Sequence, residues 1–196
     1  MQATNGSNKK QKTMYSCNVQ RTMMKALKDV RKNEECGKFG IDVVQDDMTR
    51  WALTFPSVTF IEDAPEIFKG LEKNGDLYNR KPEIKLELNF PPQFPDVPPF
   101  VRVRYPRFQY KTGHVTVGGS ICTSKLTMAN ENGWESTDSM ANTILLLHAT
   151  LIDGEAIIVN SPHQDPHHPC PEQEYSDHEA RIAFQRVAWQ KGWNLS

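Results

Sequence analysis

The sequence predicts an α+β fold in which a four-stranded antiparallel sheet packs against helices. Helix-like spacing of apolar residues opens the chain, strand-like alternation follows, and helical spacing returns near the end. This order favours helices segregated from an antiparallel sheet. The 196 residues are enough for one ordinary domain with a single core. We therefore expect a disordered polar tail over residues 1–13 and a single domain over residues 14–196.

The first predicted helix covers residues 17–32, where apolar residues recur every three or four positions. Arg21, Lys25 and Lys28 belong to its other, largely basic surface. Such a surface is either a solvated helix face or a docking surface for an acidic partner, because charge asymmetry steers association.

Strand-like segments rich in β-branched and aromatic residues follow at 39–45, 51–60, 83–90 and 100–106. The last two alternate apolar and polar residues, which is typical of half-buried antiparallel strands. Pro56 predicts a bulge or a sheet edge in the second strand. Residues 61–82 predict one short helical turn, and Asn74-Gly75 predicts a chain turn.

Two helices are predicted after residues 105–134, a stretch with little periodicity that is long enough to suggest a functional loop. The first covers residues 138–152, has Asp138 or Ser139 as its N-cap, and is expected to be the most buried helix. The second covers residues 176–191 and ends before Gly192. Its expected core contacts are Ile182, Val187 and Trp189.

Composition and charge argue against several classes of function. A net charge of -1 argues against a general nucleic-acid binder. We expect no membrane segment, since no stretch approaches the roughly 18 apolar residues of a span, and no secretory signal, since no apolar run follows the first charges. The four cysteines are irregularly spaced, which predicts reduced thiols in a cytoplasmic or nuclear protein.

Several motifs occur in a distinctive order. The segment "FPPQFPDVPPFVRV" joins the two best strands, "GGSIC" ends at Cys122, and Trp134 precedes the buried helix. Together they resemble the ubiquitin-conjugating enzymes. "PPFVRV", "GHV", "GGSIC" and "KGW" more closely resemble the divergent Q-type branch of that family.

The resemblance implies a ubiquitin-conjugating-enzyme-like fold and a transferase. Cys122 would accept ubiquitin as a thioester from the activating enzyme and pass it to a lysine amine, usually with a ubiquitin ligase. It implies no metal and no soluble cofactor, and we expect a monomer. Gly118 and Gly119 would let the backbone approach an incoming chain closely, with Gly119 and Ser120 as supporting residues.

His114 departs from the family pattern, which has His-Pro-Asn ending eight residues before the cysteine. His114 stands at the asparagine position and could donate a hydrogen bond to the oxyanion, or could only shape the loop. Asp153 and Glu155 could orient an incoming lysine or be exposed loop charges. Lys125 could favour the thiolate or be solvated.

Partner contacts are predicted on the first helix and the proline segment. We expect them at Arg21, Lys25, Lys28, Phe94, Pro95 and Asp96.

Three alternatives stay open at this stage. One is a catalytically silent ubiquitin-binding variant of the same fold. Another is a cysteine hydrolase that pairs Cys122 with His114 or His148, although His148 fits a core position better. A third is a zinc site in "HQDPHHPC", whose spacing fits no standard zinc finger.

Overall fold

The computed structural model describes residues 15–128 and 133–193. The predicted tail, residues 1–13, lies outside the described residues. The helices are α1 (Cys17–Lys32), α2 (Pro65–Tyr78), α3 (Met140–Asp153) and α4 (Asp177–Lys191). The strands are β1 (Gly40–Val44), β2 (Asp47–Pro56), β3 (Glu83–Asn89) and β4 (Phe100–Tyr105). Among the described helices, none combines the length and apolar character of a membrane span.

The four strands form one antiparallel sheet in the order β1-β2-β3-β4, which confirms the predicted fold class. Its inner face carries large buried side chains such as Trp51 and Leu88, which are partners across β2 and β3. Helices α1 and α3 contribute to the same buried cluster. β2 pairs with β1 only up to Thr54, so Pro56 pairs with β3 alone and lies at a local edge, as predicted. The strand ends there and continues as a 3-10 turn, Ser57–Phe60.

The outer face of the sheet is less exposed than the alternation predicts. Glu87 and Arg102 are both buried, and Arg102 Nη2 lies 3.3 Å from Glu87 Oε2. Arg50 reaches the same carboxylate at 3.2 Å, and Arg102 Nη1 donates to the carbonyl of Tyr175 at 2.7 Å. The chain before α4 crosses this face of the sheet and covers it. The polar side chains can stay buried here because opposite charges and hydrogen bonds pair them.

α2 is a 14-residue helix where the sequence predicted one short helical turn. Asn74 and Gly75 lie inside it and are buried, so the predicted chain turn is wrong. Asn74 accepts a hydrogen bond from the hydroxyl of Tyr105 at 2.5 Å and donates one to Asn160 Oδ1 at 3.0 Å. These tertiary contacts outweigh the weak helix propensity of the Asn-Gly pair.

The last helix begins and ends as predicted, but it buries different residues. Ser176 and Glu179 form a reciprocal capping box at its start, and Gly192 takes a left-handed conformation after its end. The buried positions are the alanines Ala180, Ala183 and Ala188. Trp189 is 85% exposed, so its predicted core contact is wrong. Ala183 is small because α4 packs close to the backbone of Gly118.

α3 is the most buried helix, and it places His148 in the apolar core. The imidazole stacks on Phe60 with ring centroids 4.4 Å apart and also contacts Phe39 and Phe55. Its Nε2 lies 3.1 Å from Thr59 Oγ1. Burial is the main cause that lowers the pKa of His148 to about 4.

This buried histidine predicts a loss of stability in mild acid. The unfolded chain binds a proton below pH about 6.5, whereas the native histidine stays neutral until about pH 4. Stability should therefore fall as the pH decreases through this window, by about 2 kcal/mol at pH 5 from His148 alone.

Denaturant unfolding at pH 7 and pH 5 measures this difference. We expect His148→Gln, which does not titrate, to lose about 2 kcal/mol less than the wild type between these pH values. An equal loss in both proteins would show that His148 is not the responsible group.

Candidate active site

The segment before Cys122 continues the sheet beyond β4. Val103 N donates to Gly119 O at 2.7 Å, and Ile121 N donates to Val101 O at 3.2 Å. Ile121 is fully buried, so this short stretch is anchored in the core. Cys122 follows at the point where the chain leaves the sheet and is half-buried. Its thiol therefore stands on a rigid support rather than on a free loop.

Gly118 and Gly119 lie in close contact with the start of α4 and with Tyr175, which precedes it. A side chain at Gly118 would collide with the carbonyl of Glu179, and one at Gly119 would collide with the ring of Tyr175. Gly119 also has a φ of 91°, which disfavours other residues. The backbone of these glycines is in close contact, as predicted, but with residues of this chain rather than with an incoming chain. Gly119 thus supports Cys122 indirectly.

Cys122 lines a groove of about 430 Å3. Its walls come from residues 110–116, from the turn after α3 and from Val187 on α4. His114, Asp153 and Glu155 all line it, so three of the predicted site residues share a groove with Cys122. They are separated from Cys122 by at least eight positions in the sequence, and the fold brings them together.

His114 is held beside Cys122 through its backbone. Cys122 N donates to His114 O at 2.8 Å, and His114 has a φ of 52°. Gly113 N donates to Gly154 O at 2.6 Å, which ties this loop to the turn after α3. As a result, His114 Nε2 lies 3.6 Å from Asp153 Oδ2. Both side chains are solvent-accessible, at 48% for His114 and 86% for Asp153.

Two opposing effects act on the Cys122 thiol. Burial raises its pKa above the ordinary value, and the positive charge of Lys191 partly offsets this increase. Lys191 lies at the end of α4, one helical turn after the groove residue Val187. The sequence suggested Lys125 for this role. Lys125 instead donates to Gly133 O at 3.1 Å and lies 3.6 Å from Asp138.

Two other predicted residues lie away from the groove. Ser120 is fully buried, with its Oγ 2.7 Å from Thr116 Oγ1, so it stabilises the backbone before Cys122. His148 belongs to the core described above. The sequence did not assign Val187 or Lys191 to the site of Cys122. Their four-residue spacing shows only that they share one face of α4.

The predicted partner-binding residues divide into two groups. Arg21, Lys25 and Lys28 are exposed on α1, and Asp96 is exposed on the proline segment. Phe94 is buried and contacts the rings of Phe90 and Trp134, so its predicted surface contact is wrong. Pro95 is half-buried, and its carbonyl accepts a hydrogen bond from Trp134 Nε1 at 2.6 Å.

The histidine-rich loop forms internal contacts. Asp165 accepts hydrogen bonds from the backbone N–H groups of Tyr110 and His167, and His168 is buried beside Arg107. Within residues 15–128 and 133–193, no group of three His, Cys, Asp or Glu residues is arranged to hold a metal ion. This loop therefore braces Tyr110, a groove residue.

No family model matches the chain. It is similar to ubiquitin-conjugating enzyme E2 Q1 of Homo sapiens, with 32% identity over 139 residues, 68% of this chain and 30% of that protein. It is also 32% identical over 140 residues to ubiquitin-conjugating enzyme E2 25 of Caenorhabditis elegans, covering 69% of this chain and 34% of that protein. The chain spans about a third of the length of these curated relatives. They confirm the resemblance to the Q-type branch.

Solved structures with a similar backbone include a ubiquitin-conjugating enzyme E2 from Plasmodium falciparum. Its TM-score is 0.49 at 22% identity, and the match covers 67% of this chain and 96% of that one. Human ubiquitin-conjugating enzyme E2 G1 matches with a TM-score of 0.48 at 18% identity, covering 68% of this chain and 93% of that one.

The opposing effects on Cys122 predict the result of removing Lys191. We expect Lys191→Ala to raise the pKa of the thiol further, because the charge that favours the thiolate is lost. Alkylation by iodoacetamide as a function of pH, followed for the Cys122 peptide by mass spectrometry, measures this pKa. Lys191→Arg should leave it near the wild-type value, and Arg186→Ala, on an exposed part of the same helix, should not change it. An unchanged pKa in Lys191→Ala would contradict the assignment.

Proposed function

The chain is homologous to the E2Q-type ubiquitin-conjugating enzymes, and on that premise we propose that Cys122 carries ubiquitin as a thioester and transfers it to an amine. One observation carries the proposal: a half-buried cysteine opens into a groove shared with His114, Asp153 and Glu155. Its partners would be ubiquitin, the ubiquitin-activating enzyme and a ubiquitin ligase.

The proposed reaction consists of two acyl transfers. The Cys122 thiolate attacks the carbonyl carbon of the thioester between ubiquitin and the activating enzyme, and the thiolate of that enzyme leaves. A lysine amine then attacks the new thioester, and the Cys122 thiolate leaves as the isopeptide bond forms. The lysine ammonium gives one proton to water before it attacks, and the attacking nitrogen gives a second proton to water as the amide forms. An acidic wall formed by Asp153 and Glu155 would attract and orient the cationic lysine side chain.

His114 is proposed to stabilise the oxyanion that forms when the amine attacks. An imidazole carries an N–H in each of its common protonation states and can donate it to an oxyanion. Asp153 Oδ2 lies 3.6 Å from Nε2, where it would orient the ring. The hydrogen bond between Cys122 N and His114 O holds the backbone of His114 beside that of Cys122, and both residues line the same groove.

A catalytically silent ubiquitin-binding module is the second candidate. The observation in its favour is the raised pKa of Cys122, since the thiolate is the nucleophile and the thiol would predominate at neutral pH. The cysteine hydrolase is less well supported. His148 is packed among phenylalanines, and only His114, of the two histidines considered, lines the groove.

A thioester assay separates these functions. The protein is incubated with activating enzyme, ATP and ubiquitin, and the products are run on a non-reducing gel. We expect a thiol-sensitive adduct that Cys122→Ala abolishes and Cys17→Ser retains, because Cys17 is exposed on α1 outside the groove. The absence of an adduct would favour the silent module, and cleavage of ubiquitin fusions would favour the hydrolase.

The proposed role of His114 predicts a defect in discharge rather than in loading. We expect His114→Ala to accept ubiquitin normally but to release it to free lysine about a hundredfold more slowly, the usual effect of losing one oxyanion donor. His114→Asn should recover part of this rate, since asparagine donates a hydrogen bond and tolerates a positive φ. Single-turnover discharge gives both rates. Discharge of His114→Ala at the wild-type rate would eliminate the oxyanion role, and an equal defect in loading would indicate a loop-shaping role.

A further inference from the structure

A second cleft lies against the outer face of the sheet and has no part in the proposed reaction. Its volume is about 490 Å3, within the range of ligand-binding pockets. It is bounded by the ends of β2, β3 and β4, by the proline segment and by α4, and it shares no lining residue with the groove of Cys122.

The charge that faces this cleft is positive. Arg50 and Arg181 line it, and no carboxylate lines it within the part of the chain that the structure describes. Arg50 uses Nη2 to bind Glu87, and Arg181 uses Nε to bind Asp177 at 2.8 Å. Among the described residues, the other N–H groups of both guanidinium groups make no hydrogen bond, so each arginine can bind a further acceptor.

A buried amide adds an unused donor to the same cleft. Asn89, at the end of β3, lines it, and the Asn89 Nδ2 atom is buried without a hydrogen-bond partner in the described structure. A buried donor left unpaired is unfavourable and uncommon, so it points to an acceptor supplied by a ligand.

Apolar rings and prolines form the remaining walls. Phe100 and Phe184 pack edge to face with centroids 5.6 Å apart, and Arg181 lies over the Phe100 ring. Pro98 and Pro99 also line the cleft. Aromatic and proline surfaces of this kind bind extended peptide segments through apolar side chains.

From these observations we propose that the cleft binds a peptide segment of a partner protein that carries an acidic side chain beside an aromatic or aliphatic anchor. The carboxylate would bind the free N–H groups of Arg181 and Arg50, the Asn89 amide would donate to the same segment, and the anchor would pack on Phe100 and Phe184. Residues 1–14 of this chain precede Tyr15 at the rim but contain three lysines and no acidic residue. Their charge disfavours them as the occupant.

Selection from a random peptide library displayed on phage, with the intact wild-type protein as the target, tests the proposal. Enriched peptides are expected to carry Asp or Glu next to an aromatic or aliphatic residue. The strongest binder is then synthesised, together with a version in which each Asp or Glu is replaced by its amide. Fluorescence anisotropy measures both peptides. We expect the amide version to bind at least about tenfold more weakly, because it loses a charge-assisted hydrogen bond.

Variants of the protein locate the binding surface. Arg181→Glu should weaken the acidic peptide at least about tenfold, whereas Arg186→Glu, an exposed position on the same helix outside the cleft, should not. Asn89→Val should weaken binding without lowering the unfolding midpoint, because it removes an unpaired donor. Enrichment of basic or uncharged peptides, no enrichment, or equal losses in Arg181→Glu and Arg186→Glu would overturn the proposal. Neither result depends on thioester formation at Cys122.

Discussion

The place of Cys122 depends on the direct contact of Gly118 with the first turns of α4 and of Gly119 with Tyr175, which precedes that helix. Because neither glycine has a side chain, the Glu179 carbonyl and the Tyr175 ring rest on the backbone of the Cys122 segment. The hydrogen bonds of residues 119 and 121 to β4 fix the same segment from the other side. This short irregular stretch is thereby held between the sheet and a helix. The position of the half-buried Cys122 is fixed as a result.

A buried charge cluster keeps this arrangement in place. Glu87 lies between Arg50 and Arg102, and Arg102 also donates to the Tyr175 carbonyl. An ion pair removed from water contributes little to stability by itself, but loss of one partner leaves a buried charge and is strongly unfavourable. The cluster therefore specifies where the chain before α4 crosses the sheet. The same crossing brings Val187 of α4 to the groove, and Lys191 lies one turn further along this helix.

Helix α2 supports the opposite wall of the groove. Gly70 lies against Ile158, and Asn74 donates to Asn160, so the segment after Glu155 is packed on this helix. The hydrogen bond from Gly113 to Gly154 then links that segment to the loop of His114. The backbone that carries the imidazole and the two acidic residues is consequently tied to the core, which favours the preorganisation that oxyanion stabilisation needs.

Local patterns in the sequence were sufficient for several elements. Alternating residues predicted β3 and β4, three- and four-residue spacing predicted α1 and α3, and the order of motifs singled out Cys122 and His114. These signals depend on neighbouring residues along the chain, where a helix or strand imposes its own period. The same local rules misassigned Asn74-Gly75 as a chain turn and Trp189 as a core residue.

Tertiary structure alone decided which face of each element is buried and which distant residues share the site. Asn74 is helical because Tyr105 and Asn160 satisfy its side chain, and Trp189 is exposed because α4 buries its alanines instead. Phe94 is buried because Phe90 and Trp134 surround it. Lys191 acts on Cys122 although 68 residues separate them in the sequence. Periodicity describes one element at a time, whereas burial and electrostatic interaction depend on distances between elements, which are set only when the whole core packs.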